Sequence, residues 1–202
     1  MKKINFPVLI IAFLLVYACS DETELKKSVF IADKDYPDLP AYTEWGYNTF
    51  GAYYDRKLFI YTNEDVPVKI INSEGRTSVT FRGRLGGTQY YQSGSDMSLS
   101  FDFFSFAPKV LTDLLELNGQ EVNLNTPGCG VRIKIDNEEF EADIFSGSIL
   151  FKKVQKLYVD NKLAEVILSG TFQFSAVVNA EPVSITLGRF DVGVGQDNFF
   201  SF

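Results

Sequence analysis

From Ala41 onward, apolar and polar side chains alternate along most of the chain. Met97, Leu99, Phe101 and Phe103 share one parity, with Ser98, Ser100, Asp102 and Phe104 on the other. Val79, Phe81 and Leu85 stand against Ser78, Thr80, Arg82 and Arg84, and Val131, Ile133 and Ile135 against Arg132 and Lys134. Val166, Leu168, Phe172, Phe174 and Ala176 oppose Glu165, Ser169, Thr171, Gln173 and Ser175. A period of two puts one set of side chains on a core and the other in water, as antiparallel strands require. Near the C-terminus Val183, Ile185 and Leu187 share a parity that Phe190 and Val192 break, so a bulge is expected at Gly188.

Turn residues separate these runs at Asn72 to Gly75, Gly86-Gly87, Asp136-Asn137, Asp160-Asn161 and Asn179. Asp160-Asn161 suits a tight hairpin, because both residue types tolerate left-handed backbone. One stretch has helical spacing instead: Val110, Leu111, Leu114 and Leu115, with Pro108 before it and Asn118-Gly119 as a stop. The pattern predicts an all-β fold, an antiparallel β-sandwich of about nine strands with one short amphipathic helix. A closed β-barrel is the runner-up. A membrane barrel is disfavoured, because Ser78 to Leu85 would turn arginines outward.

The first forty residues follow other rules. Lys2 and Lys3 precede an apolar run from Ile4 to Val16, and Val16-Tyr17-Ala18-Cys19 follows. A basic start, a short apolar stretch and a small residue before a cut describe a secretory signal over residues 1–18. A membrane span takes roughly twenty apolar residues, and this run is shorter and holds Pro7. Cys19 after Ala18 resembles the lipobox of bacterial lipoproteins, with Tyr17 bulkier than usual; a cleaved signal without lipid is the alternative. Residues 19–40 then form an acylated tether rich in Asp, Glu and Lys, closed by Pro37 and Pro40, and residues 41–202 a single sandwich domain. The expected location is the cell envelope, as an outer-membrane lipoprotein with a surface-exposed domain. The acidic residues after Cys19 resemble surface-export signals of Bacteroidetes lipoproteins, or serve as a solvated spacer.

Composition narrows the chemistry. The precursor has 19 Lys+Arg against 26 Asp+Glu, net −7, and loss of Lys2 and Lys3 makes the mature side chains two units more negative. Such a chain is a poor match to nucleic acid or to an anionic membrane face, so the expected membrane contact is through lipid. The absence of histidine removes the usual Ser-His-Asp and Cys-His arrangements and His-ligated metal sites. No cofactor is expected. If Cys19 carries lipid, Cys129 has no disulfide partner and reads as a small buried apolar residue.

Aromatic residues supply the leading ligand candidates. Tyr42, Trp45, Tyr47, Tyr53 and Tyr54 cluster early, and Tyr90 and Tyr91 flank a glycine-containing turn. Flat rings with nearby Asp, Asn and Gln suit sugar faces and hydroxyls, although aromatic strand propensity also explains them. Asp136, Asn137, Glu138, Glu139, Glu141 and Asp143 carry enough oxygen for calcium, with Asp136, Glu138 and Glu139 foremost, but match no EF-hand loop and fit a solvated hairpin. A carboxylate glycosidase needs a facing pair that spacing cannot select. Asn198-Phe199-Phe200-Ser201-Phe202 either folds back on its own domain or adds to another subunit's sheet.

Three stretches carry a resemblance. They are Leu39-Pro40-Ala41 with Gly46-Tyr47-Asn48-Thr49-Phe50-Gly51, then Ser169 to Ala176, then Ile185-Thr186-Leu187-Gly188-Arg189-Phe190-Asp191-Val192. Together they resemble a Bacteroidetes lipoprotein family of unknown function, opening on Asn-Thr-Phe-Gly and closing on Gly-Arg-Phe-Asp. Asp55-Arg56 stands where that family often has Asn-Gly. The resemblance implies fold and location and brings no catalytic residues. The expected role is therefore non-catalytic binding of glycan or another macromolecule at the envelope, with a structural or assembly role as the alternative.

Overall fold

A computed structural model describes residues 26–61, 63, 65–88 and 94–202. Two short strands, β1 (Thr49–Tyr54) and β2 (Lys57–Ile60), form the first hairpin. β3 (Val68–Ser73) and β4 (Arg76–Leu85) form the next, followed by β5 (Ser95–Phe103). A 3-10 helix (Leu111–Leu117) and β6 (Glu121–Asn123) precede the acidic hairpin of β7 (Cys129–Ile135) and β8 (Glu138–Glu141). Three long strands then meander: β9 (Asp143–Val159), β10 (Lys162–Val178) and β11 (Glu181–Val194). β12 (Phe199–Ser201) ends the series.

These strands make one sheet in the order β6-β9-β10-β11-β1-β2-β4-β5-β7-β8, with β3 beside β4. Its two ends do not meet, so the sheet is open and the barrel alternative fails. It folds over itself instead, bringing β9, β10 and β11 across from β4, β5 and β7. Phenylalanines fill the space between the layers. Phe81 of β4 stacks on Phe50 at 4.8 Å and reaches Phe172 and Phe190 of the facing strands. Phe101 meets Phe172 edge-on at 5.3 Å, and Phe103 meets Phe151 at 6.2 Å. The inward parity read from the sequence supplies this core.

Local chemistry sets the turns. Asp160 and Asn161 both take left-handed angles, φ 49 and 61, which a two-residue hairpin of matching twist requires. Asn179 and Ala180 do the same between β10 and β11. The expected bulge is present but centres on Leu187, with φ 54. Gly188 beside it serves a different purpose: a Cβ there would lie 2.5 Å from the Phe172 ring. The glycine admits the ring, and the leucine absorbs the backbone strain.

The helix differs from its expected form. It winds as 3-10, so the inward side chains fall every third residue, Leu111, Leu114 and Leu117, and Val110 is exposed. The Asp113 carboxylate accepts the amides of Lys109 and Val110, which leaves the start tightly wound. The strand count also rises to twelve among the described residues. β6, β8 and β12 are three or four residues long, too short to display a period.

The C-terminal segment lies on its own domain. β12 runs parallel to β3, Phe199 beside Ile70 and Phe200 beside Ile71, and the Phe202 amide donates to Asn72. Asn198 fixes the approach by donating to Val68 and Gly193 and accepting from the Gly195 amide.

Candidate functional site

The outward side chains of β11 organise the N-terminal segment. Core positions Phe190, Val192 and Val194 alternate with Arg189, Asp191 and Gly193 on the opposite face. The stretch expected as a solvated spacer lies across this face from about Val29 onward. Leu39 is fully buried, Ala32 bridges to Pro40, and the Val29 amide donates to Tyr47. Arg189 donates to Asp33 at 2.5 Å and to the Pro40 carbonyl. Burial alone would raise the Asp33 carboxyl, yet the amides of Asp35 and Tyr36 and the Arg189 charge hold it below the ordinary range.

Asp191 is the centre of the arrangement. Its carboxylate is almost fully buried, and three backbone amides donate to it: Trp45 at 3.0 Å, Gly46 at 2.8 Å and Tyr47 at 3.2 Å. The hydroxyls of Thr43 and Ser169 donate as well, at 2.5 and 2.9 Å. Gly46 takes φ 76 at the apex, which lets the loop curl its amides toward one anion. Asn48, itself left-handed at φ 53, accepts the Gly193 amide just below. The two motifs of the family resemblance therefore meet directly: Thr49 pairs with Asp191, Phe50 with Phe190 and Gly51 with Arg189. Arg189 and Asp191, two apart on one strand face, each hold a different part of the N-terminal segment.

The aromatic candidates separate into groups. Tyr42, Trp45 and Tyr47 share the loop wrapped on Asp191. Trp45 leaves 72% of its surface in water while its own amide is fixed on Asp191. The Tyr42 hydroxyl bonds Glu44 at 2.9 Å, and Lys152 lies 4.5 Å over the Tyr42 ring. Burial and the Glu44 carboxylate push the Tyr42 phenol far above its usual value. Tyr53 and Tyr54 follow each other on β1 and so face opposite ways. Tyr53 lies near Arg189, Asp38 and Tyr36, whereas Tyr54 packs against the core. Among the described residues, ring-on-ring contacts join phenylalanines only, so the four tyrosines and Trp45 do not stack on one another. Tyr90, Tyr91 and Cys19 lie outside the described residues.

Two side chains of the acidic hairpin are committed to protein contacts. Asp136 accepts the Asp96 amide at 3.0 Å, and Glu139 pairs with Arg132 at 2.6 Å, while Glu138 is exposed. Among the described residues no group of three or more acidic or cysteine side chains gathers to hold a metal. Arg132 also forks onto the buried Asp102 through Nε at 2.7 Å and Nη2 at 3.1 Å, and Ser78 donates to the same carboxylate at 2.5 Å. Burial would raise Asp102, but the Arg132 and Ser78 bonds and the positive charge outweigh it and hold the carboxyl below its ordinary value. One end of the polar face of β4, β5 and β7 is thus closed by this network, with Ser78, Ser100 and Asp102 buried, while Arg82, Asp96 and Lys134 on the same face stay exposed as the alternation implied. Cys129 is free and half-buried at the start of β7.

A shallow cleft of about 390 Å³ opens on the outer face of β9, β10 and β11. Tyr42 and Lys152 form one side, Thr171 and Gln173 the floor, and Leu187 to Arg189 the other side, with Glu121 of β6 at the rim. The sequence carried no sign of it, because outward Ser, Thr and Gln on strands look like any solvated face. The cleft belongs to the same side of the molecule as the Asp191 loop, through Tyr42. No protein-family model, no curated protein and no solved structure matches this chain.

Proposed function

We propose that this chain is an exported lipoprotein, held to the envelope by acyl chains on Cys19, whose sandwich domain binds glycan or another macromolecule and performs no catalysis. Its kinship is with the Bacteroidetes lipoproteins of unknown function that its paired β1 and β11 motifs resemble. The observation that carries the binding reading is Trp45: an indole largely in water, on a loop whose backbone is fixed by the buried Asp191. An exposed aromatic side chain on a fixed backbone has less freedom to lose when a ligand stacks on it than one on a loose loop, which suits a sugar platform.

Two features favour this over the other classes. Among the described residues the cleft beside the loop is lined by one carboxylate, Glu121, whereas glycoside hydrolysis takes a facing pair. The C-terminal strand that would suit sheet exchange between subunits is already paired with β3. The end strands are short, and β8 is Glu-Glu-Phe-Glu, features that discourage edge-to-edge growth.

Titration of the purified domain with a panel of soluble polysaccharides, read by fluorescence of Trp45, the chain's sole tryptophan, tests the binding reading. A saturable change with at least one polysaccharide is expected, and silence across the panel overturns it. The anchor is tested separately: Cys19→Ala should abolish incorporation of radiolabelled fatty acid, and undiminished labelling would exclude Cys19 as the acceptor. One acyl chain binds membranes only marginally, so stable attachment implies at least two chains on this residue.

A further inference from the structure

The cleft described above does not stop at Gln173. A second depression of about 320 Å³ shares that residue and continues along the same face toward the β10–β11 turn. Its polar floor is a rung of hydroxyls across three strands: Ser146 of β9 pairs with Ser175 of β10, which pairs with Ser184 of β11. Gln173 lies opposite Ser148 on β9. On its other side Gln173 has no register partner, because β11 bulges there through Thr186 and Leu187. An extra residue in one strand bends it and widens the local spacing, which is why the surface dips at this point.

The charge state of this groove is informative. None of the residues lining the second depression is ionisable. In the first, each charged side chain already has an internal partner. Arg189 is bonded to Asp33, Lys152 lies over the Tyr42 ring, and Glu121 accepts from Ser148 at 2.7 Å. The second depression therefore offers a ligand only hydroxyl, amide and apolar groups, while the exposed charges of the first, Lys152 and Glu121, are of opposite sign and impose no single charge on a ligand. Tyr42 lines the upper end and belongs to the loop that carries Trp45.

We propose that the two depressions form one continuous groove for an extended, uncharged, polyhydroxylated chain, a neutral polysaccharide spanning both sides of Gln173. The proposal rests on the glycan-binding reading of the Trp45 loop and specifies its ligand class and path. Hydroxyl-bearing rungs at strand spacing match a ligand that repeats hydroxyl groups along its length.

The test uses the soluble domain with manno-, xylo- and cello-hexaose, the matching monosaccharides, and polygalacturonate, measured by calorimetry and Trp45 fluorescence. At least one neutral hexasaccharide should bind well above its monosaccharide, with little change between low and high salt, since no ion pair is formed. Gln173→Leu, which removes the side-chain amide at the junction from an exposed position and adds no second indole, should weaken that binding by about tenfold. Ser175→Ala is the gentler companion variant and should weaken it less, with unfolding temperature unchanged in both. Polysaccharide quenching of Trp45 that persists in full in Gln173→Leu would overturn the groove and leave the loop reading standing. Salt-sensitive binding of polygalacturonate alone would overturn the neutral-ligand assignment. Silence of every sugar would overturn both readings.

Discussion

Asp191→Ala should lower stability by about 3–5 kcal/mol, because it leaves several buried donors without an acceptor. The amides of Trp45, Gly46 and Tyr47 and the hydroxyls of Thr43 and Ser169 all converge on this carboxylate. Water cannot replace it at once, since the residue is only 1% exposed. Thermal unfolding followed by circular dichroism should show a fall on the order of 10 °C for a domain of this size. Asp191→Asn, which keeps the volume but turns one acceptor into a donor, should fall between the two. The variant should also release the Trp45 loop, seen as lower tryptophan anisotropy in the still-folded protein at low temperature. An unfolding temperature within about 2 °C of the parent would mean that the loop is held by something other than this anion.

Phe81→Ala should cost a similar amount, about 3–5 kcal/mol, for a different reason. Phe81 is completely buried and contacts four rings: Phe50 at 4.8 Å, Phe190 at 5.0 Å, Phe101 at 6.2 Å and Phe172 at 6.4 Å. Those rings come from β1, β11, β5 and β10, so the side chain lies where both layers meet. Its removal deletes apolar transfer energy and leaves a hole that close-packed neighbours fill only in part. Urea unfolding should show a lower midpoint with an unchanged slope. A loss under about 1 kcal/mol would indicate that the layers do not meet at Phe81.

These two residues illustrate what the sequence makes legible. Phe81 was visible as a core position because Thr80 and Arg82 flank it with the opposite character, and antiparallel strands convert that contrast directly into inside and outside. Asp191 stood out as a charge beside Arg189, but its role was not visible. Its partners are mainly backbone amides, which carry no sequence signature, and they lie on a loop far away along the chain. The same reason hid the docking of residues 29–48: polar composition resembles a spacer until Leu39 and Asp33 are seen against β11. The groove was hidden for a third reason. A bulge is a property of register, and Leu187 gives no local sign that it will take a left-handed angle. The candidate aromatics were recognised by type, and the structure divides them by strand parity and loop position, neither of which a cluster of letters encodes.

The pairing of β1 with β11 has a kinetic consequence. Asn48 and Gly193 are 145 positions apart, yet one hydrogen bond joins them and the adjoining strands close the centre of the sheet. Topologies of such high contact order fold slowly, in milliseconds to seconds, because loop-closure entropy is lost before the distant contacts compensate. A folding chain can form the β1–β2 and β3–β4 hairpins from local contacts, but the second edge of β1 has no mate until β11 reaches it. Closure of the sheet therefore waits on this distant pairing, and an intermediate without it leaves edges of β1 and β10 as open templates for aggregation.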